Sequence, residues 1–435
     1  MNDELDPAAD LADRPGGLFV LALVSIIAGM ASGLLGALFR LSLVQADRFR
    51  DTLIYWSHSE KLLGLWIVVS IAAVATAAAA WLVHKFSPQA SGSGITHVEL
   101  VMAGDLPPTP SSLIPVKFFG GLLAIGSGLV LGREGPSVQM GATISHLVGQ
   151  AFRRTRVDCR ALLAAGAGAG LATAFNAPIA GAVFVLEELV RRFDTRVTIA
   201  TLGASAGAIA VGRVLLGQAP DFRVEPLSYP GLGTVPINLV LGVMAGLLGV
   251  AYNRTLLGVL AASERLHRWP PELRAAVVGG AVGGLAWFAP LLVGGGDALT
   301  QRTLSLSDPL FIISGVFLIR FGLGAVSYAA GTPGGLFAPM LVLGSQCGLL
   351  FASICLRWFP DAAASPQMFA ITGMAAFFTA VVRAPVTGII LVTELTGSFT
   401  LLLPMLASCF SAMTIATLLG NPPIYDSLRK ITSHR

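Results

Sequence analysis

Charged side chains are scarce in this sequence, since Asp, Glu, Lys and Arg make up only 12% of its 435 residues. A typical soluble domain carries about 25%, because a soluble chain must cover a large surface with polar groups. The shortage excludes an ordinary soluble enzyme, a disordered chain and a nucleic-acid binder. Hydrophobic residues reach 54%, so a polytopic membrane protein remains. In such a protein the small net charge of +4 reflects the loop bias that sets orientation.

Cysteine is also rare, and the short motifs of several enzyme classes are missing. The 4 cysteines show no CxxC spacing, so packing is their simplest interpretation and neither a zinc site nor a disulfide framework is indicated. The sequence has no GxxxxGKS or GxxxxGKT loop of an ATP-driven pump, no HExxH motif and no Ser/His/Asp grouping of an intramembrane hydrolase. We therefore predict a protein that is not an enzyme and that has no metal or cofactor.

Long apolar runs dominate what is present. One extends from Leu18 to about Ala46, and a membrane span needs about 20 such residues. Further runs of spanning length lie at about 62–84, 197–217, 235–260, 274–294, 309–330 and 336–358. Apolar stretches broken by Gly, Pro or a charge lie at 113–131, 137–152, 160–186, 366–382 and 385–397. Irregular backbone at membrane depth must be buried in protein or line a cavity, so these stretches predict tilted or short helices of a transporter or channel.

The two ends and the basic loops predict the orientation. Residues 1–16 form an acidic tail, and the apolar run after it is too long for a signal peptide and lacks a basic flank. Basic residues cluster in two short loops and at the C-terminus: Arg153, Arg154, Arg156 and Arg160; Arg191, Arg192 and Arg196; Arg429, Lys430 and Arg435. By the positive-inside rule these segments, and hence both termini, are predicted to be cytoplasmic.

An internal repeat divides the chain. The segments Gly166–Glu187 and Gly373–Glu394 align at a constant offset of 207, with seven of 22 positions identical and a shared Ala-Pro-x-x-Gly-x-x-x-Val-x-Glu core. Each copy predicts two short helices joined through Ala-Pro, because proline suits the first turn of a helix. Duplicated halves, often inverted, are characteristic of secondary transporters. We predict a first repeat over about 17–217, a linker over about 218–234, a second repeat over about 235–420 and a C-terminal helix over about 421–435.

Glycine is abundant, with 50 residues, and three glycine-rich segments stand out. They are Ser91–Ile95, Gly132–Pro136 and Gly331–Pro339. Each precedes a helix-compatible stretch, so each predicts a helix N-terminus with free amides, which binds anions without a full positive charge. The alternative is that these glycines serve helix packing alone.

These motifs resemble the CLC family of chloride channels and chloride/proton exchangers. Ser93 lies in a GSGI signature, Glu134 in GREGP, Phe337 in GxFxP, and Tyr425 in a tyrosine motif near the chain end. The resemblance covers essentially the whole chain from about residue 17, and the chain is similar to the short bacterial members that lack C-terminal CBS domains. It implies an all-α polytopic membrane protein with an inverted-repeat fold, over residues 17–435, that assembles as a homodimer with one pathway per subunit.

The resemblance also implies the anion site. The hydroxyls of Ser93 and Tyr425 and the backbone amides of Leu336 and Phe337 would bind a central chloride. Such neutral donors are weak enough to allow the ion to leave. Thr96 stands where the family usually has proline, and threonine is expected to preserve the helix start.

Two glutamates are the predicted proton carriers. Ionised, Glu134 would occupy an anion site and block the path; protonated, it would swing away. The alternative for Glu134 is a salt bridge with Arg133. Glu188 has no acidic counterpart in the second repeat, where Leu395 aligns, and the resemblance gives it proton transfer on the cytoplasmic side. Its alternative is an ion pair with Arg191 or Arg192, one turn away.

Other polar residues of the same segments are given supporting roles. Glu187 and Glu394 are predicted to be structural and to satisfy helix ends. Glu99 and Lys117 match charged family positions, and since a lone buried charge is penalised we predict that they pair and support the site. His97 is predicted to face solvent or a helix end.

The predicted function is secondary active exchange of chloride for protons across the bacterial inner membrane. The partners implied are chloride, protons, a second copy of the chain and the lipid bilayer. The alternative is a passive voltage- or proton-gated chloride channel of the same fold.

Overall fold

Helices form nearly all the regular structure of the chain. The computed structural model describes residues 15–227, 229–266, 268–305, 309–358 and 365–433. Helices of the first half are α1 (Pro15–Ser57), α2 (Lys61–Phe86), α3 (Ile95–Ala103), α4 (Leu113–Gly126), α5 (Glu134–Ala151), α6 (Arg156–Phe175), α7 (Pro178–Phe184) and α8 (Thr195–Leu216). Helices of the second half are α9 (Val235–Arg265), α10 (Pro271–Phe288), α11 (Asp297–Ser305), α12 (Leu310–Ala329), α13 (Phe337–Trp358), α14 (Pro366–Val382), α15 (Pro385–Thr396), α16 (Leu402–Leu418) and α17 (Ile424–Ser433).

The polytopic membrane architecture is confirmed. Within the described residues, five stretches of helix are long and apolar enough to cross a bilayer. The two largest differences from the predicted runs of spanning length are in α1 and α10. Helix α1 continues past Ala46 to Ser57, because the backbone hydrogen bonds of a helix form in a polar stretch as well as in an apolar one. Helix α10 ends at Phe288 rather than 294, because Pro290 disfavours helical geometry at the residue before it. Residues 1–14 of the predicted acidic tail lie outside the described residues.

Each copy of the repeat contains the predicted helix break at Ala-Pro. Helix α6 ends where Asn176 adopts a left-handed conformation (φ 51°), and Pro178 opens α7. Helix α14 ends where Arg383 does the same (φ 74°), and Pro385 opens α15. The left-handed residue ends one helix, and proline at the first helical position starts the next in a new direction.

The two halves pack in the same way. Helix α5 packs on α6 as α13 packs on α14, and α1 packs on α8 as α9 packs on α16. The equivalent short helices α7 and α15 contact each other across the two halves. The structure therefore extends the duplication beyond the 22 residues that aligned in sequence; the residue limits of the repeats stay a prediction.

Glu187 and Glu394, the paired glutamates of the repeat, cap each other's helices. The Glu394 carboxylate accepts hydrogen bonds from the backbone N–H groups of Ile179 (3.2 Å) and Ala180 (2.8 Å) in α7. The Glu187 carboxylate accepts from the N–H groups of Val386 (3.0 Å) and Thr387 (2.6 Å) in α15. A negative charge suits the free amides at a helix N-terminus. The predicted structural role of both residues is thus confirmed. Because each glutamate binds a helix of the other half, these hydrogen bonds connect the two halves.

Removing one of these caps is expected to destabilise the protein. The substitution Glu394→Ala leaves two amides of α7 without their charged acceptor, which costs about 1–3 kcal/mol. Thermal unfolding in detergent micelles measures the loss. The control is Glu225→Ala at an exposed position of the linker, which should unfold as the wild type does. Equal melting of all three proteins would contradict the capping role.

Candidate functional site

The three glycine-rich segments meet in the middle of the protein. The N–H of Gly92 donates to the carbonyl of Thr332 (3.1 Å), and the N–H of Gly334 donates to the carbonyl of Gly92 (3.1 Å). Gly132 and Gly335 exchange two backbone hydrogen bonds of 2.7 and 2.8 Å. These links join segments far apart in sequence, so they fix the positions of the helices that follow.

A helix begins at each segment, as predicted. Helices α3, α5 and α13 begin at Ile95, Glu134 and Phe337. Thr96 is the second residue of α3, so the missing proline does not shift the helix start. Gly94 caps that helix with φ 82°, a left-handed conformation that glycine adopts without strain.

Glu134 occupies the convergence point. Its side chain is 0% exposed, and its Oε1 atom accepts a 2.7 Å hydrogen bond from the backbone N–H of Phe337. The other oxygen, Oε2, has no hydrogen-bond partner among the described residues. The first residue of α5 therefore places its carboxylate at the N-terminus of α13, on an amide that the family resemblance assigns to the anion.

Glycines lie in close contact with this carboxylate on both sides. A Cβ atom on Gly132 would lie 2.0 Å from Oε2 of Glu134, and one on Gly335 would lie 2.1 Å from Oε1. A side chain at either position would force the carboxylate to move, so these two glycines allow the close approach of backbone to carboxylate that is seen here.

Adding a methyl group at this point is expected to displace the carboxylate. Gly335→Ala should weaken the Glu134–Phe337 hydrogen bond and, as an overpacking change, lower stability by about 1–3 kcal/mol. Thermal unfolding and ion flux from liposomes measure both effects. Gly315→Ala is the matched control, because a Cβ there meets nothing within 4 Å. Wild-type behaviour of Gly335→Ala would contradict the tight fit.

Two hydroxyl groups lie beside the carboxylate. Ser93 and Tyr425 are 1% and 0% exposed, and both hydroxyl oxygens lack a hydrogen-bond partner among the described residues. A Cβ on Gly135 would lie 2.8 Å from the Ser93 Oγ, and the Tyr425 ring lies 5.9 Å from the Phe337 ring between centroids. Buried hydroxyls normally find a partner, so these two can donate to a ligand. The side chain of Leu336 is buried here as well.

Tyr328 belongs to the same site, although no sequence motif indicates it. Its hydroxyl oxygen accepts a 3.4 Å hydrogen bond from the backbone N–H of Ser93. A Cβ on Gly92 would lie 3.0 Å from that oxygen. The tyrosine lies near the end of α12 inside an apolar run. Only the tertiary structure shows that it positions residues 91–94, the segment that carries Ser93 and is named the serine loop.

The predicted pairing of Glu99 with Lys117 is wrong. The Lys117 ammonium donates to the backbone carbonyls of Ala90 (2.9 Å) and Gly92 (2.8 Å), so two of its three N–H groups bind backbone next to Ser93. Neither carboxylate oxygen of Glu99 has a hydrogen-bond partner among the described residues. His97 was predicted to face solvent or a helix end; it is buried, at 6% exposure, and lies in the first turn of α3, so only the first alternative is wrong. Backbone carbonyls, which carry no sequence signature, took the place of the expected carboxylate.

Two cavities lie at opposite ends of α5. The first, named the Arg133 cavity, has a volume of about 510 Å³ and is lined by Gly132, Arg133 and Asp297 among others. The second, named the Glu188 cavity, has a volume of about 550 Å³ and is lined by Glu99, Glu188 and the first turns of α6, which contribute Val157, Arg160 and Ala161. Because α6 follows α5 in the chain and an 18-residue helix is about 27 Å long, the two cavities are separated by roughly the length of α5.

Glu188 lies at the edge of its cavity. It is 4% exposed and belongs to a π-helical turn, Val185–Leu189, that follows α7; such turns are frequent at functional sites. Arg191 Nη2 lies 3.6 Å from Glu188 Oε1 but only 2.7 Å from Asp426 Oδ1. Arg191 therefore contacts Glu188 at ion-pair distance, while its short side-chain hydrogen bond goes to Asp426. Glu188 Oε1 has no hydrogen-bond partner among the described residues.

Comparison with known proteins decides the family. Residues 75–417 match the family model described as voltage gated chloride channel. The chain belongs to this family, the CLC proteins. A protein of Vibrio cholerae serotype O1 named H(+)/Cl(-) exchange transporter ClcA is 38% identical over 419 residues, which cover 94% of this chain and 89% of the relative.

Solved structures agree with the CLC assignment. A slow cyanobacterial Cl-/H+ antiporter superposes with a TM-score of 0.91 at 32% identity, covering 95% of this chain and 98% of that chain. A eukaryotic CLC transporter superposes with a TM-score of 0.83 at 20% identity, covering 95% of this chain and 75% of that one; this second likeness concerns the fold alone. The all-helical inverted-repeat fold predicted from the sequence is thus confirmed.

Proposed function

We propose that this CLC protein is a secondary active transporter that exchanges chloride for protons. The observation that carries the proposal is the hydrogen bond between the Glu134 carboxylate and the Phe337 amide. An ionised carboxylate and a chloride ion are both anions and suit the same amide, so they compete for it. Protonation of Glu134 removes its charge and its advantage at the helix N-terminus. Chloride entry and proton uptake then depend on each other.

The names of the relatives support exchange over conduction. The Vibrio cholerae protein is named an exchange transporter, and the cyanobacterial structure is described as an antiporter. Both resemble this chain along nearly its whole length, so the same coupled transport is the simplest inference.

The chloride ligands we propose are the hydroxyls of Ser93 and Tyr425 and the backbone amides of Leu336 and Phe337. The two hydroxyls are buried and unpartnered, as donors that await an anion would be. None of these donors carries a full charge, which allows the bound ion to be released. Lys117 would support the site from outside by holding the carbonyl groups of the serine loop.

The proton path we propose runs from the Glu188 cavity to Glu134. Glu188 lines that cavity, and so does Glu99, neither of whose carboxylate oxygens has a hydrogen-bond partner among the described residues. Glu99 would support proton entry there rather than pair with Lys117.

The cytoplasmic side is proposed to be the side of the Glu188 cavity. Arg160, Arg191, Arg192 and Arg196 of the basic loops line it, and basic loops remain in the cytoplasm. Both chain ends would then be cytoplasmic and the membrane the bacterial inner membrane. By resemblance to the family, the protein would form a homodimer in the bilayer with one pathway per subunit.

Reconstitution tests the proposal. Purified protein is inserted into liposomes, a chloride gradient is imposed and external pH is followed. Exchange predicts that chloride flow drives protons uphill. Chloride flow without proton movement would instead establish a passive channel of the same fold and contradict the proposal.

A further inference from the structure

A network of four charged side chains surrounds the start of α5. Arg133, the residue before Glu134, donates through Nη2 to Asp221 Oδ2 (2.9 Å) and through Nη1 to Asp297 Oδ2 (2.6 Å). Arg40 donates to the other oxygen of Asp221 (2.6 Å). The Nε of Arg133 also donates to the backbone carbonyl of Ala174 (2.8 Å). All three nitrogens of the planar Arg133 guanidinium thus donate hydrogen bonds, which fix its orientation.

This network joins three separate parts of the chain. Arg40 and Arg133 belong to the first half, Asp221 to the segment between the halves, and Asp297 opens α11 in the second half. The Ala174 carbonyl lies in the last turn of α6, where a cation is favoured by the helix dipole. Arg133 is therefore the point at which both halves and their connection meet, directly before the carboxylate that contacts Phe337.

Each aspartate is held by its own surroundings. Asp297 follows the loop of residues 292–296, whose carbonyls accept hydrogen bonds from the buried Arg320: Leu292 (3.1 Å), Gly294 (2.9 Å) and Gly295 (3.2 Å). The segment that carries Asp221 is fixed to α11, since Arg223 and Gln301 exchange hydrogen bonds of 2.8 and 2.9 Å. The network is thus anchored at both acidic ends.

We propose that Asp221 and Asp297 are positioning residues for Glu134. By holding Arg133 from two sides they fix the first turn of α5, and with it the direction in which the Glu134 carboxylate reaches the Phe337 amide. Arginine suits this role because its rigid fork binds two carboxylates in defined directions. Partly buried ion pairs of this kind add little net stability but restrict geometry. The segment between the halves thereby contributes to the affinity of the anion site, although it does not line that site.

The inference rests on the proposed function, because it assumes that Glu134 and chloride compete. A carboxylate that is held less firmly competes less well, so Asp221→Asn should tighten chloride binding. Isothermal titration calorimetry with chloride in detergent measures this directly, without transport. We expect the dissociation constant to fall by about threefold or more, within the range of couplings transmitted through contacting networks. Asp297→Asn should act in the same direction, and since the Asp297 side chain is 51% exposed that variant should fold even if Asp221→Asn does not.

The decisive comparison repeats both substitutions in a Glu134→Gln protein. If they act through the Glu134 carboxylate, they should leave chloride affinity unchanged in that background. A general change in local charge or stability would act equally in both backgrounds. Asp47→Asn is the matched control. Asp47 lines the Arg133 cavity, as Asp297 does, and it pairs with Arg50 at 2.6 Å. Removing its charge should not alter chloride affinity.

The outcomes separate the two proposals. Unchanged affinity in Asp221→Asn and Asp297→Asn, or an equal change with and without Glu134, would overturn the positioning role and leave exchange intact. Absence of chloride binding to the wild-type protein would overturn the proposed function, and the positioning role with it.

Discussion

Glu134→Gln is expected to abolish proton transport while chloride flux continues. The glutamine side chain resembles the protonated acid in shape and charge, but it cannot release or accept a proton at this position. It also carries no negative charge with which to hold the Phe337 amide against chloride. Since a positioned proton-transfer group accounts for about 10²–10⁴-fold in rate, the proton flux should fall at least a hundredfold.

Simultaneous recording of chloride and external pH from liposomes measures this effect. Glu394→Gln is the matched control, because Glu394 also binds backbone amides at a helix N-terminus but lies outside the glycine-rich site. That variant should still couple the two ions. Retained coupling in Glu134→Gln would refute the role given to Glu134.

Glu188→Gln is expected to remove proton transport by a different route. The substitution removes the titratable group at the edge of the Glu188 cavity and leaves the chloride ligands untouched. Chloride flux should therefore continue and remain sensitive to Glu134, whereas proton flux should fall by about the same 10²-fold or more. The same liposome recordings show both.

The control for this second variant lies in the same cavity. Asp194 lines it, and its side chain accepts the hydrogen bond of the Val197 N–H at the start of α8. Asparagine caps a helix about as well as aspartate, so Asp194→Asn removes one negative charge with little structural change. If Asp194→Asn uncoupled transport as strongly as Glu188→Gln, proton transfer could not be assigned to Glu188.

Much of the fold was predictable because bilayer helices need continuous apolar sequence. The runs at 62–84 and 309–330 correspond to α2 and α12, and the Ala-Pro breaks lie where expected. Helix α11 was missed, because its nine residues are polar and short. Its stability comes from contacts with α13 and α14 rather than from its own pattern. The extension of α1 beyond its apolar run was missed for a similar reason.

The part of the site that is built from helix N-termini was predictable, because glycine indicates the backbone conformation that precedes such helices. Glycine segments before helices indicated the converging N-termini, and Glu134 and Phe337 indeed meet there. The supporting contacts were not predictable, because they use groups that every residue carries. Lys117 binds backbone carbonyls, and the Ser93 amide binds Tyr328. The four-residue network around Arg133 brings together distant charged residues whose pairing sequence spacing does not reveal.

The central claim is that one chloride pathway is coupled to one proton pathway through Glu134, and the reversal potential tests it most directly. Wild-type protein is reconstituted in a planar bilayer or in voltage-clamped liposomes with a fixed chloride gradient, and a pH gradient is then added. An exchanger predicts a reversal potential away from the chloride equilibrium potential that shifts when the pH gradient changes. A reversal potential equal to the chloride equilibrium potential at every pH gradient would show uncoupled conduction and contradict the account.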